Sequence, residues 1–260
     1  CTKYFNNKGN NVTRKDIFFT SKLPVNYMFP PSNIIPRLKE TLKDLQLDYL
    51  DLYLVHCPIP VERNELTGKF QPLYHTGYSL QDVWIEMEKA VKLKLVKSIG
   101  VSNYNITLMN DLLNYCTIKP VINQVERHPH LTQLNLKSFC EHHKIRLTAY
   151  SSLQSTGYNR KGYETKVSLY DEEILQKIAK RTGQSIRSVL LRWSIDTGCV
   201  TIPKSIHKEY QANNIKILKS FELAKEDIQQ INSLNINQRK FDFNFSLLVI
   251  TSLINLLNKK

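Results

Sequence analysis

Apolar residues in this chain follow two alternating rhythms. The runs 17–23 (IFFTSKL), 49–56 (YLDLYLVH), 98–103 (SIGVSN), 121–126 (VINQVE), 146–152 (RLTAYSS) and 199–205 (CVTIPKS) are short, rich in β-formers and apolar on both faces. Parallel strands buried on both sides have that pattern. Between them lie segments with apolar spacings of three and four: 32–46, 80–95, 106–116, 132–143, 171–181, 185–196, 208–218 and 224–234. Leu80, Val83, Trp84 and Met87 illustrate the helical spacing. Six βα units predict a parallel sheet. A (β/α)₈ TIM barrel needs about eight strands and typically about 250 residues. An open doubly wound sheet is the competitor, but no GxGxxG turn follows any strand.

Polar residues collect at one end of these strands. Lys22 closes the first and His56 the second; Ser102 and Asn103 close the third. Gln124 and Glu126 end the fourth, Tyr150 and Ser151 the fifth, Lys204 and Ser205 the sixth. The N-terminal strand ends carry no comparable set. In a barrel the C-terminal strand ends converge on one face, where sites are built. Lys22 and His56 offer a cation and a neutral donor for a reacting oxygen. Ser102, Asn103 and Gln124 suit a carboxamide, Tyr150 a stacked ring, and Lys204 with Ser205, before a helix, a phosphate.

Composition narrows the class. At 260 residues and 42% apolar, the chain is globular, and the lack of a Pro/Gly/Ser-rich linker predicts one domain. The net charge of +13 comes from lysines scattered among Asn and Ile, without an arginine stripe interleaved with aromatics. That distribution favours a local anion site over nucleic acid. The five cysteines form no CxxC pair, as expected of reduced thiols in the cytoplasm. The apolar stretch 245–257 is broken by Thr251, Ser252 and Asn255 and is short for a membrane span. The first residue is Cys1 rather than Met, so the sequence is expected to begin inside a longer protein or an incomplete gene model.

The segments IFFTSKL, LDYLDLYLVHCP, KSIGVSNYN, KPVINQVERHPH, LTAYSSL and IPKS…NN together resemble the aldo-keto reductase family, over residues 12 to about 242. The resemblance implies a (β/α)₈ TIM barrel that binds NADPH, with NADH as the alternative, and reduces aldehydes and ketones to alcohols. It also implies the bounds of the domain, 1–242, with a divergent tail over 243–260. It gives Lys22 the role of lowering the pKa of a tyrosine acid, and His56 that of orienting the carbonyl. A phenol near pKa 10 is a poor acid at neutral pH, and an adjacent ammonium brings it toward the working range. Ser102, Asn103 and Gln124 match the residues that hold the nicotinamide carboxamide, and Tyr150 the ring stacked on it. Ser151, Leu153 and Ser155 match positions along the pyrophosphate; Lys204, Ser205 and Asn214 match positions at the adenosine 2′-phosphate and adenine. The implied partner is a small carbonyl substrate, sugar aldoses included, bound by a cytoplasmic monomer without metal, nucleic acid or membrane.

Several positions depart from the family pattern. Its catalytic Asp and Tyr precede the segment matching 16–23, yet only fifteen residues stand before Asp16, and they read as loop. Tyr4 lacks the surrounding motif. The first two strands, the tyrosine and the aspartate are therefore expected upstream of Cys1. Tyr210 replaces the arginine that grasps the 2′-phosphate, Asn213 replaces a glutamate, and Cys57 replaces a bulky aromatic of the substrate pocket. Ser152 and Gln154 stand for the Pro and Gly of the family's YSPLG. His128 and His130 are expected to be structural rather than metal ligands, Asp51 to be structural, and His142 and His143 to suit a helix C-terminus. Cys57 reads as an inert thiol. The contrasting reading is a non-catalytic nucleotide-binding pseudoenzyme or regulatory subunit.

Overall fold

A computed structural model of the chain describes residues 12–63, 70–73, 77–154 and 168–241. The chain divides into two compact units, Cys1–Val125 with Leu134–Thr148, and Glu126–Gln133 with Ala149–Lys260. The strands are β1 (Thr20–Leu23), β2 (Leu50–Val55), β3 (Val61–Arg63), β4 (Phe70–Pro72), β5 (Val96–Ser102), β6 (Ile122–Glu126), β7 (Arg146–Tyr150) and β8 (Val200–Thr201). Six of them form a parallel sheet in the order β1-β2-β5-β6-β7-β8, each neighbour in the sheet being the next of the six along the chain.

In the first unit, all six residues of β2 are buried, as its unbroken apolar run requires. Helices α1 (Ile34–Leu45), α2 (Leu80–Lys92), α3 (Ile106–Tyr115) and α4 (Leu134–His142) connect the strands. In α1 the apolar stripe Ile34, Ile35, Leu38 and Leu42 is buried, and in α2 the stripe Val83, Trp84 and Met87. Ser79 caps α2 by accepting from the Asp82 N–H at 3.2 Å, while Asp82 accepts from the Ser79 N–H at 2.7 Å.

The second unit carries α5 (Glu173–Thr182), α6 (Ile186–Asp196), α7 (Lys208–Ser220) and α8 (Lys225–Ser233). Leu175, Ile178, Val189, Leu190, Trp193 and Ile231 form its core. The Arg127 guanidinium lies 4.1 Å from the Trp193 ring centroid.

The helical pattern is reproduced to within a few residues; the strands differ more. The expected strand 17–23 begins only at Thr20, because the Phe19 N–H is taken by the Asp51 side chain at 2.9 Å. The expected strand 199–205 shortens to Val200–Thr201, as Pro203 has no N–H for a ladder. The antiparallel pair β3–β4 occupies a stretch that reads as loop; each strand has only three residues, too few to display a period. The tail 243–260 lies outside the described residues.

Candidate active site

Strand register builds the site. Lys22 pairs with Leu54, Leu54 with Gly100, and Val55 with Val101. Val101 pairs with Asn123, and Ser102 with Gln124. Residues paired across parallel strands share a face, as do residues two apart along one strand. Lys22, His56, Ser102 and Gln124 therefore fall on a single face at the C-terminal strand ends, with Lys22 two residues deeper than the others. Gly100 lies on this face in the Lys22 layer. A Cβ there would stand 2.7 Å from the Ile122 carbonyl oxygen and 2.8 Å from Leu54 Cδ2, so only glycine permits the approach. Its position inside a strand was the one sequence signal for it.

Lys22 is half-buried and makes no ion pair or hydrogen bond among the described residues. Burial lowers its pKa from the ordinary lysine value. His56, exposed just beyond β2, is also shifted down, first by desolvation and then by the Lys22 charge. The imidazole is thus neutral at pH 7 and presents one N–H donor. Beside it Cys57 is buried, and burial pushes its thiol up to about 11, consistent with an inert thiol. A cavity of about 560 Å³ opens against the next residues, lined by Phe29, Pro58, Pro60, Leu73 and Tyr78.

Ser102 Oγ donates to the Gln124 carbonyl at 2.7 Å, and the Asn103 N–H donates to the same oxygen at 2.9 Å. Asn103 Nδ2 donates to the His56 carbonyl at 2.9 Å and to Ser102 Oγ at 3.2 Å. Asn103 adopts φ 64°, a left-handed conformation that asparagine tolerates. These bonds lock the layer, while Gln124 Oε1 is buried without a hydrogen-bond partner among the described residues. Such an acceptor fits the NH₂ of a carboxamide, as a nicotinamide carries.

In the second unit, Tyr150 is half-buried, with its ring edge-on to Phe241 at 5.7 Å. Ser151 sits at φ 53°. The Leu153 side chain packs on the apolar core of this unit, so its backbone is what remains to meet a ligand. The two departures in this segment are both used. Ser152 Oγ donates to the Ala149 carbonyl at 3.0 Å and lies 2.8 Å from Thr201 Oγ1. Gln154 accepts from the Leu169 N–H at 2.8 Å and contacts His130 Nδ1 at 3.1 Å. Lys204 is exposed, and Ser205 Oγ accepts from the His207 N–H at 3.1 Å. Asn214 lines a cavity of about 480 Å³ with Tyr210 and Asn213, and its Oδ1 is buried without a partner. Ser155 and Tyr4 lie outside the described residues.

The other candidates are structural. His128 Nε2 contacts Glu126 Oε1 at 3.1 Å, and His130 Nε2 contacts Glu172 Oε1 at 2.6 Å. Glu126 also accepts from the N–H groups of Lys240 and Phe241, anchoring that segment. Asp51 accepts from Phe19 N–H, Arg14 and Lys97. His143 packs 4.6 Å from the Phe139 ring beyond the end of α4.

The family model described as the aldo/keto reductase family matches residues 3–236. The chain belongs to the aldo/keto reductase family. Aldose reductase B of Dictyostelium discoideum is 43% identical over 236 residues, covering 88% of this chain and 72% of that protein. The NAD(P)H-dependent D-xylose reductase of Scheffersomyces stipitis is 40% identical over 240 residues, 88% of this chain and 75% of that one. The crystal structure of a Bombyx mori aldo-keto reductase in complex with NADP superposes with a TM-score of 0.79 at 36% identity, covering 89% of this chain and 72% of that one. The sheet is accordingly that of a TIM-barrel fold, and this aldo/keto reductase is an oxidoreductase that reduces carbonyl groups to alcohols.

Proposed function

We propose that this aldo/keto reductase reduces small aldehydes, sugar aldoses among them, with NADPH as its preferred reductant, as a cytoplasmic monomer. The observation that carries the reading is the half-buried Lys22, unpaired among the described residues, on the same face as neutral His56 and a Gln124 acceptor that has no partner among them. Perturbed and unsatisfied groups gathered at strand ends mark a site that a ligand completes. The aldose and xylose reductases among the relatives support the substrate class.

When bound, the nicotinamide supplies the hydride. Gln124 Oε1 would accept from its carboxamide and, with Ser102 and Asn103, fix the ring's orientation. His56 donates its N–H to the substrate carbonyl oxygen and so orients the carbon. The Lys22 ammonium stabilises negative charge developing near that oxygen, and favours phenolate in any tyrosine beside it, which brings a phenol into range as proton donor. The cavity at Phe29, Pro58 and Tyr78 supplies apolar walls for a small substrate.

Titration of the chain with NADPH and NADH, followed by tryptophan fluorescence, tests the reading together with aldehyde-dependent loss of NADPH absorbance. Saturable quenching is expected, and aldose-dependent turnover where a tyrosine acid stands beside Lys22. A folded chain that quenches with neither nucleotide refutes it.

A further inference from the structure

We infer that Arg187, reaching from α6, is the cation that makes this chain prefer a nucleotide with a phosphate on its adenosine. The inference rests on the reductase reading and concerns the far end of the nucleotide. Its basis is the cavity of about 480 Å³ in the second unit, walled by Tyr170, Arg187, Glu209, Tyr210, Asn213 and Asn214.

Three features define what this cavity takes. The first is charge. The Arg187 guanidinium carbon stands 4.7 Å from the Tyr210 ring centroid, a cation–π distance that fixes the head group over the ring. The residue is half-buried, yet no hydrogen bond or ion pair engages its guanidinium among the described residues. Arg14 and Arg192 behave otherwise: each meets a buried or nearly buried carboxylate, at Asp51 and Asp196. A planar fork of five donors held at a cavity wall, unspent, fits a phosphate, which can take two of its bonds in parallel. The second feature is the flat apolar surface of Tyr170 and Tyr210. The third is Asn214 Oδ1, a buried acceptor without a partner among the described residues, suited to the exocyclic amino group of a purine. Phosphate, flat ring and amino group together describe a phosphorylated adenosine.

Two neighbours modulate the site. Ser185 caps α6 by accepting from the Ser188 N–H at 3.1 Å, and Arg187 lies in that helix's first turn, where the dipole adds to its positive field. Glu209 opposes it: the residue lines the same cavity, and its negative charge repels a phosphate. Lys204 contributes only an exposed, solvent-screened charge, whereas Arg187 supplies direction. The guanidinium absent at position 210 is thus supplied from a different helix, stacked on the tyrosine that stands there.

The test is fluorescence titration of the wild type and of Arg187→Ala, Arg187→Lys and Glu209→Gln with NADPH and NADH, together with displacement by adenosine 2′,5′-bisphosphate. Arg187→Ala should weaken NADPH and the bisphosphate about tenfold or more while changing NADH less than about twofold. Arg187→Lys should fall between, since lysine keeps the charge without the fork. Glu209→Gln should tighten NADPH. If the wild type binds both nucleotides and Arg187→Ala leaves NADPH unchanged, or weakens both equally, the assignment to Arg187 is wrong and the reductase reading stands. If the wild type binds neither, both are overturned.

Discussion

Asp51 and His56 stand near opposite ends of the same strand, and the polar groups around them are treated in opposite ways. At the N-terminal end, Asp51 is buried and saturated: it accepts from the Phe19 N–H at 2.9 Å, from Lys97 at 2.9 Å and from Arg14 at 2.8 Å. The two cations are in turn held over Tyr49, at 4.0 Å for Arg14 and 4.5 Å for Lys97. At the C-terminal end, Lys22 has no anion among the described residues, His56 is held neutral, and Gln124 Oε1 is buried bare. Folded proteins satisfy nearly all their buried polar groups. A cluster left open therefore costs stability, and the cost persists where a ligand closes it. On the proposed reading, one end of the sheet serves the fold and the other serves the reaction.

Substitutions at the two ends should separate these roles. The largest effect is expected at Lys22. Lys22→Met should lower kcat/KM for aldehyde reduction by about a thousandfold, the scale of losing an electrostatic and proton-transfer helper. Stability should move the other way. The folded pKa of Lys22 lies below its unfolded value, so its proton is held less tightly in the folded state. The protonated lysine therefore penalises folding at every pH below the folded pKa, and the penalty disappears only above the unfolded value of about 10.4. Thermal melts at pH 7 should show Lys22→Met at least as stable as wild type, with the gap closing near pH 11. Full activity in Lys22→Met would dissolve the contrast.

Asp51→Ala should do the reverse. Removing the shared carboxylate takes the common acceptor from the Phe19 N–H, Arg14 and Lys97, and destabilisation of about 3 kcal/mol is expected in urea unfolding, with NADPH affinity unchanged in the fraction that folds. Burial alone would raise the Asp51 pKa, but the Phe19 N–H, Lys97 and Arg14 outweigh it and the net shift is downward. Its stabilisation is therefore complete above the unfolded value of about 3.9 and is lost as pH falls through the lower folded value. The difference between wild type and Asp51→Ala should be flat from pH 7 to 5 and shrink only in stronger acid.

The open end was legible in the sequence because strand ends are easy to locate. Lys22, His56, Ser102 and Gln124 each terminate an apolar run, and parallel register does the rest. The eight helices were legible through their stripes. What the sequence hid depends on contacts between distant segments. Nothing around Asp51 announces Arg14 and Lys97 as its partners, 37 and 46 residues away. Gln154 reads as a poor substitute for glycine until it is seen bonded to Leu169 and His130. Arg187 is one more surface-type arginine in a helix until its stacking on Tyr210 places it at a cavity. The shortening of β8 depended on Pro203, visible in the sequence but outweighed there by the apolar run.

The smallest of the expected effects draws the contrast within a single residue. Gln124 belongs to the open end, yet its backbone serves the closed network: its carbonyl accepts from Ser102 Oγ and from the Asn103 N–H. Its side-chain Oε1 is buried without a partner among the described residues. Gln124→Met keeps the length of the side chain and the backbone bonds while deleting the orphan acceptor. Removing an unsatisfied buried oxygen should raise stability by about 1 kcal/mol, and losing its bond to a carboxamide should weaken both nucleotides by about fivefold. Because this bond would lie at the nicotinamide rather than at the adenosine, NADPH and NADH should weaken together, unlike the selective loss expected at Arg187. Paired urea melts and nucleotide titrations on the one variant read both signs. A variant less stable than wild type would mean that Oε1 is satisfied within the fold, and that Gln124 belongs with Asp51 rather than with Lys22.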